Sequence, residues 1–282
     1  MRMLLTLACR DQPGIVGSVG SFLAERHCNI LESAQFGDIG TGRFMMRVLF
    51  ERLPGAASLE ELRAEFSPLA GRFAMTWHVD EADRRPRVLI MVSRQDHCLN
   101  DLLYRHKVGA LAIDPVAVVS NHRDPEPVAR HYGVDFVHMP VTPERKRAAE
   151  DSLLALIEST RAELVVLARY MQILTNETCT ALEGRAINIH HSFLPSFKGA
   201  RPYHQAHERG VKLIGATAHY VTPDLDEGPI IDQQVTRVTH AMSPEQLAAA
   251  GRDVECLALA NAVRYHAERR VFLDGNKTVV FA

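Results

Sequence analysis

The chain has 282 residues, room for two domains at about 150 residues each. Its 46% hydrophobic and 23% charged content excludes a disordered or fibrous polypeptide. The 32 Lys and Arg against 34 Asp and Glu leave a net charge of −2, with no basic surplus to mark a general nucleic-acid or anionic-membrane binder.

No apolar run reaches the roughly 18–20 residues of a bilayer span, and the opening MRMLLTLACRDQPG is too briefly apolar for a signal peptide. The five cysteines, Cys9, Cys28, Cys98, Cys179 and Cys256, are scattered and never spaced C-x-x-C. That pattern predicts a cytoplasmic protein with neither a disulfide framework nor a cysteine zinc site.

From the N-terminus, Met3–Cys9 alternates as a strand and Asp11–Gly14 makes a tight turn. Ile15–Arg26 has helical spacing, with Val16, Val19, Phe22 and Leu23 on one face. Asn29–Phe36 and Arg43–Phe50 read as strands joined by a loop with three glycines. Ser58 with Glu61 three residues on forms a capping box that opens a helix to about Ala70, and Phe73–Val79 reads as a closing strand. The order βαββαβ predicts a ferredoxin-like domain over residues 1–80. The charge-dense, proline-containing Glu81–Arg87 follows as a linker.

Residues 88–282 change to strand–helix alternation. Val88–Val92, Val116–Ser120, Val134–Met139, Leu164–Leu167 and Ala186–Ile189 read as strands. Helices are predicted over Cys98–Val108, from Thr142 to about Thr160, and from about Pro244 to Glu268. The pattern predicts an α/β domain, a Rossmann-like, mostly parallel sheet flanked by helices, with ligands at the carboxyl ends of the strands.

Reactive side chains concentrate in two places. Asn188-Ile-His190 ends a strand, and period-two alternation puts the amide and the imidazole on one face. An amide there can stabilise an oxyanion while an imidazole moves protons; equally, Asn188 can tie down a loop and His190 can be an ordinary half-buried histidine. The second place is His219 to Asp232, a strand, an acidic loop and another strand. It carries Asp224, Asp226, Glu227 and the turn-permitting Gly228. A carboxylate from this loop beside an imidazole would orient the ring; the bland alternative is a solvated acidic turn. His190-His191 with Asp226 invites a metal reading. Adjacent strand histidines are expected on opposite faces, however, and no further ligand completes a site, so no metal is expected. His97 and His122 fall at strand ends and receive no role beyond possible substrate contact. Cys98 is assigned to helix packing.

Taken together, Asn188-x-His190, the Ser-Phe-Leu-Pro that follows it, and Asp226-x-Gly228-Pro-Ile-Ile resemble the folate-dependent formyltransferase family, which includes glycinamide ribonucleotide transformylase and methionyl-tRNA formyltransferase. The resemblance implies an Asn188–His190–Asp226 triad acting on the formyl group of 10-formyltetrahydrofolate, with no cofactor beyond that substrate. It also implies a folate pocket walled by Met171, Gln172, Ile173 and Leu174, by Ile189, and by Thr222, Pro223, Asp224, Leu225 and Gly228. Asp11-x-Pro13-Gly14-Ile15-Val resembles an ACT domain, which implies an amino-acid effector near Asp11, Pro13, Gly14 and Ile15, or assembly into a homo-oligomer.

An ACT-like module ahead of a formyltransferase-like domain resembles the hydrolytic branch of that family. Asp96–Arg105, Val118–His122 and Lys198–Tyr203 add to the likeness, which implies 10-formyltetrahydrofolate plus water giving tetrahydrofolate and formate. The sequence after the first strand of the second domain agrees. A nucleotide substrate needs its phosphate held, typically by backbone N–H groups of a glycine-rich loop, and Val92-Ser-Arg-Gln-Asp-His-Cys98 has no glycine. Arg94 there is opposed by Asp96. Transfer of the formyl group to an amine, and a non-catalytic folate sensor, are the alternatives.

Overall fold

The computed structural model describes residues 1–194 and 202–282. Pro195, at the end of the Ser-Phe-Leu-Pro segment, and Lys198–Arg201 lie outside the described residues. The chain divides into two units. One comprises Met1–Arg84, Glu268–Asp274 and Val279–Ala282; the other comprises Arg85–Ala267 and Gly275–Thr278.

In the first unit, β1 (Arg2–Arg10), α1 (Ile15–Glu25), β2 (Cys28–Asp38), β3 (Arg43–Arg52), α2 (Leu59–Arg72) and β4 (Thr76–Glu81) follow the βαββαβ order. The sheet is antiparallel, in the order β2-β3-β1-β4. Alternation along β1 sends Met3, Leu5, Leu7 and Cys9 into one core with Ile15, Val19 and Leu23 of α1 and Leu62 and Phe66 of α2. Helix α2 starts where the capping box says. The Ser58 hydroxyl accepts from Glu61 N at 3.2 Å, and Ser58 N donates to Glu61 Oε2 at 2.7 Å.

Phe73 departs from the expected strand. It is the C-cap of α2, 4% exposed and inside the core, and the strand begins only at Thr76. Its apolar character reports helix–sheet packing, not strand alternation.

The second unit contains β5 (Arg87–Val92), α3 (His97–Lys107), β6 (Asp114–Ser120), α4 (Glu126–His131), β7 (Phe136–His138), a short 3-10 turn Pro143–Arg145, α5 (Lys146–Thr160), β8 (Leu164–Leu167), α6 (Asn176–Ala181), β9 (Ala186–His190), α7 (Pro202–Glu208), β10 (Leu213–Tyr220), β11 (Ile230–Arg237) and α8 (Pro244–Ala267). The sheet order is β11-β10-β9-β8-β5-β6-β7. Pairs from β9 to β7 are parallel, while β10 and β11 add antiparallel at one edge. Strands β5 and β8 are buried along nearly their whole length, as parallel strands covered on both faces must be. Successive crossovers leave β5 on opposite sides, towards β6 and then β8, which opens a crevice at the carboxyl ends of these strands.

The chain continues beyond α8. Val271–Asp274 (β12) and Lys277–Val280 (β13) pair as a two-stranded sheet, and residues 268–274 and 279–282 group with the first unit rather than with 88–267. Arg43 Nη1 donates to Leu273 O at 3.0 Å, and Arg269 meets Asp80 at 2.6 Å.

The first unit carries the chain's single tryptophan, Trp77, whose ring meets Phe66 edge-on at 4.9 Å. Phe66→Ala is expected to destabilise that unit by about 3–5 kcal/mol. Urea titration followed by tryptophan fluorescence checks this; an unmoved midpoint would contradict the packing described.

Candidate active site

The β9–β10 register sets the site. His219 lies directly opposite Asn188, and Thr217 opposite His190. His219 Nδ1 donates to Tyr220 O at 2.8 Å, because a carbonyl can only accept. Its Nε2 is then free to accept from Asn188 Nδ2 at 3.3 Å, which fixes the orientation of the amide. The loop between β10 and β11 folds back so that Asp226 Oδ1 lies 3.2 Å from His190 Nδ1 and 3.8 Å from His219 Nε2. The expected trio is thus brought together. His219, which spacing alone did not single out as a working residue, completes it as the group that orients the amide.

The Asp226 carboxyl is partly buried, which by itself would raise its pKa. The hydrogen bond from His190 Nδ1, with the positive charge that ring can take up, wins and holds it well below the usual carboxylate range. His190 is 7% exposed, and its Nε2 has no hydrogen-bond partner among the described residues. With Nδ1 on Asp226, Nε2 is the nitrogen left for chemistry.

These groups line a cavity of about 360 Å³. Of the expected folate contacts, Met171, Gln172, Ile173, Leu174, Ile189, Thr222, Pro223 and Leu225 line it, together with Arg169, Tyr170, His191 and His219. Asp224 and Gly228 do not. Asp224 O accepts from Thr222 Oγ1 at 3.0 Å within the loop. Gly228 lies against β10, where an added Cβ would sit 1.8 Å from Tyr220 O. Its absent side chain lets the loop lie against the strand.

The 168–174 segment is pinned at both ends. At the start, Ser93 N donates to Arg169 O at 3.2 Å and Met171 N donates to Ser93 Oγ at 3.0 Å. At the far end, buried Glu150 accepts from Thr175 N and Oγ1 and from Thr178 Oγ1. Tyr170 and Leu174 point into the core. Met171 and Ile173 stay 56% and 61% exposed at the cavity, apolar surface of the kind a ligand covers. Neither Ser93 nor Glu150 carries a local sequence signal for this role, since their partners lie far along the chain.

The two adjacent histidines are not on opposite faces. His191 lies beyond the end of β9, where strand alternation no longer applies, and its ring stacks on that of His190 at 5.1 Å. Elsewhere, His97 Nε2 meets buried Glu255 at 2.8 Å. Cys98 is buried on α3 as helix packing requires; donor atoms of His97, Cys98 and Cys256 lie within 4.8 Å of one another, and the contact with Cys256 pushes the Cys98 thiol upward. Arg94 and His122 do not line the cavity. In the first unit Ile15 is 2% exposed and belongs to the core, which leaves Asp11, Pro13 and Gly14 on the surface.

Fold and site together define a formyltransferase-type domain preceded by an ACT domain. A formyl transferase family model matches residues 86–263 and an ACT domain model residues 3–67. Formyltetrahydrofolate deformylase from Corynebacterium sp. (strain P-1) is 53% identical over 280 residues, covering 99% of this chain and 98% of its own. The crystal structure of formyltetrahydrofolate deformylase from Burkholderia mallei superposes with a TM-score of 0.96 at 53% identity, covering 100% and 99% of the two chains. Glycinamide ribonucleotide transformylase 1 from Symbiobacterium toebii matches at a TM-score of 0.66 and 30% identity, over 70% of this chain and 95% of its own. The chain belongs to the formyltetrahydrofolate deformylase family.

Burial, then the nearby charges of Arg169 and His190, brings the pKa of His191 down from 6.5 to about 4. Between those values the unfolded chain takes up a proton that the folded protein refuses, so stability falls as pH drops through that window, by roughly 2–3 kcal/mol. Asp226, with its lowered value, adds a loss only at more acid pH. The urea midpoint is expected to decline from pH 6.5 to pH 4, and His191→Asn to flatten that decline. A slope unchanged in the variant would assign it to other groups.

Proposed function

We propose that this protein hydrolyses 10-formyltetrahydrofolate to tetrahydrofolate and formate at the Asn188–His190–Asp226 site. One observation carries the reading: an amide, an imidazole with a free Nε2 and a carboxylate meet in one cavity, in a chain that matches named deformylases end to end. The pterin lies between Met171–Leu174 and Thr222–Leu225, which presents the N10 formyl group to His190.

A water at the formyl carbon gives its proton to His190 Nε2 as the C–O bond forms. Asp226, kept ionised, steadies the imidazolium through Nδ1. Asn188 already spends one N–H of its amide on His219, and the other donates to the oxyanion. The proton on Nε2 then passes to N10, the C–N bond breaks, and the hydroxyl proton left on the one-carbon acid goes to the freed His190 Nε2 and on to solvent as tetrahydrofolate and formate separate. No step calls for a metal or a further cofactor. His219 acts as a positioning residue by keeping Nδ2, rather than Oδ1, turned to its ring.

The ACT domain supplies regulation or assembly. The exposed Asp11, Pro13 and Gly14 are the surface for an amino-acid effector, and the edge strand β2, with Ile30, Leu31 and Phe36 exposed, is suited to pairing in a homo-oligomer. Five free cysteines suit a cytoplasmic setting.

Purified protein given 10-formyltetrahydrofolate in amine-free buffer is expected to release formate in step with tetrahydrofolate; strict dependence on an added amine would make it a transferase. Asn188→Ala should lower kcat by a factor of about 10²–10³ while folate binding persists. Near-normal formate release by that variant would take the amide out of the mechanism.

A further inference from the structure

Hydrolysis and transfer share the triad but differ in what leaves. Water brings a second oxygen to the formyl carbon, so the product is an anion formed close to the Asp226 carboxylate. Resting on the hydrolytic reading above, we propose that Arg169 is the anion-binding residue of this site and holds the one-carbon carboxylate, formate, through its guanidinium.

Arg169 lines the same cavity as Asn188 and His190, and among the described residues that line it, Arg169 is the one permanently charged cation. Its side chain is 9% exposed and fixed from behind. Nη2 donates to Gln95 Oε1 at 2.9 Å, and Nε stands 3.4 Å from Glu255 Oε2. Glu255, 1% exposed, is itself held by His97 Nε2 at 2.8 Å and by the Tyr203 hydroxyl at 2.6 Å. In spite of this framework, Nε and Nη1 of Arg169 have no hydrogen-bond partner among the described residues. A buried donor without an acceptor is costly, and a purely structural Arg–Glu pair would have used these arms on each other.

The backbone points the same way. Only two non-glycine residues lining the cavity have positive φ, Asp226 at 58° and Arg169 at 65°. Such conformations persist where the surroundings enforce them and cluster at functional sites.

Chemically the fit is direct. As the C–O bond forms and the C–N bond breaks, N10 gains one proton of the water, the other passes to His190 and solvent, and formate keeps two equivalent oxygens. A planar guanidinium pairs with a carboxylate in a way a point charge does not. In transfer to an amine the product is a neutral amide, and this group would have no anion to meet.

The test uses [13C]formate and the full-length protein with tetrahydrofolate bound. Formate binding, read from 13C line broadening, is expected to be saturable and to weaken about tenfold or more in Arg169→Lys, which keeps the charge and loses the fork. The same loss is expected in the double variant Arg169→Gln/Glu255→Gln, which leaves no buried carboxylate uncompensated. Tetrahydrofolate affinity should stay within about twofold in both variants, and inhibition of turnover by formate should weaken in parallel. If the double variant fails to fold, Arg169→Lys decides alone. Absence of saturable formate binding in the unaltered protein, or binding unchanged in folded Arg169→Lys, overturns the proposal. Turnover in amine-free buffer without formate binding would sink this inference and leave the hydrolytic reading standing; Arg169-dependent formate binding without turnover would do the reverse.

Discussion

A single partly buried carboxylate organises the site. Asp226 is reached by two imidazoles, from β9 and β10, and His190, the nearer at 3.2 Å, is the one that donates to it. Taking a carboxylate out of water is expensive unless the charge is matched, so the loop that carries Asp226 is anchored by the strands it serves. The loop accepts two unusual conformations to get there. Asp226 sits in the left-handed region, which aspartate tolerates, and the backbone at Gly228 approaches Tyr220 O so closely that no other residue fits. Asp-x-Gly at this point is a geometric requirement: the acid faces the imidazoles only if the chain two residues later can lie flat on β10 and re-enter β11, where Tyr220 N donates to Pro229 O.

The opposite wall obeys a similar rule with other means. Backbone bonds from Ala168 N to Met91 O and from Ser93 N to Arg169 O carry the β5–β8 pairing only as far as Arg169; beyond it the segment is tied by side chains from distant elements, Ser93 at the end of β5 and Glu150 on α5. Between those ties every residue borders the cavity, but they differ in how deeply they are buried. Tyr170 and Leu174 lock the segment to the sheet, and that lets Met171 and Ile173 stand exposed without collapsing inward. Rigidity in one pair makes the other a preformed apolar platform, which limits the ordering entropy a ligand must overcome.

Much of this was legible in the sequence, and what was not has a common physical origin. Short runs of apolar residues identified β1, β3 and β5, and the Ser58–Glu61 box identified the start of α2, because these signals are local. The Asn188–His190 face was local too. Phe73 misled because an apolar residue after a helix reads the same whether it closes that helix or opens a strand. The short α4 and α6 were missed because one or two helical turns do not establish a period. His219, Ser93 and Glu150 escaped for a different reason: their roles exist only in register or across the sheet, where partners lie 31, 78 and 25 residues away in sequence. His191 shows the limit of the alternation rule itself, which stops where the strand stops.

Unsatisfied polar atoms give an independent view of where the fold expects company. Native interiors leave few buried donors or acceptors unpaired. Among the described residues, five buried side-chain nitrogens lack a partner: Arg52 Nε, His106 Nδ1, Arg169 Nε, Arg169 Nη1 and His190 Nε2. Three of the five belong to two residues that line one cavity, although each of those residues is otherwise well held, His190 by Asp226 and Arg169 by Gln95. Misfitted packing would scatter such defects and loosen the side chains that bear them. Here the supporting atoms are fixed and the leftover ones belong to two residues that line one cavity, the pattern expected where the partner is a ligand rather than the protein. An unpaired imidazole nitrogen handles a proton; an unpaired guanidinium arm waits for negative charge. That combination at one acyl carbon suits a reaction that consumes water and releases an anion better than one that joins two neutral groups.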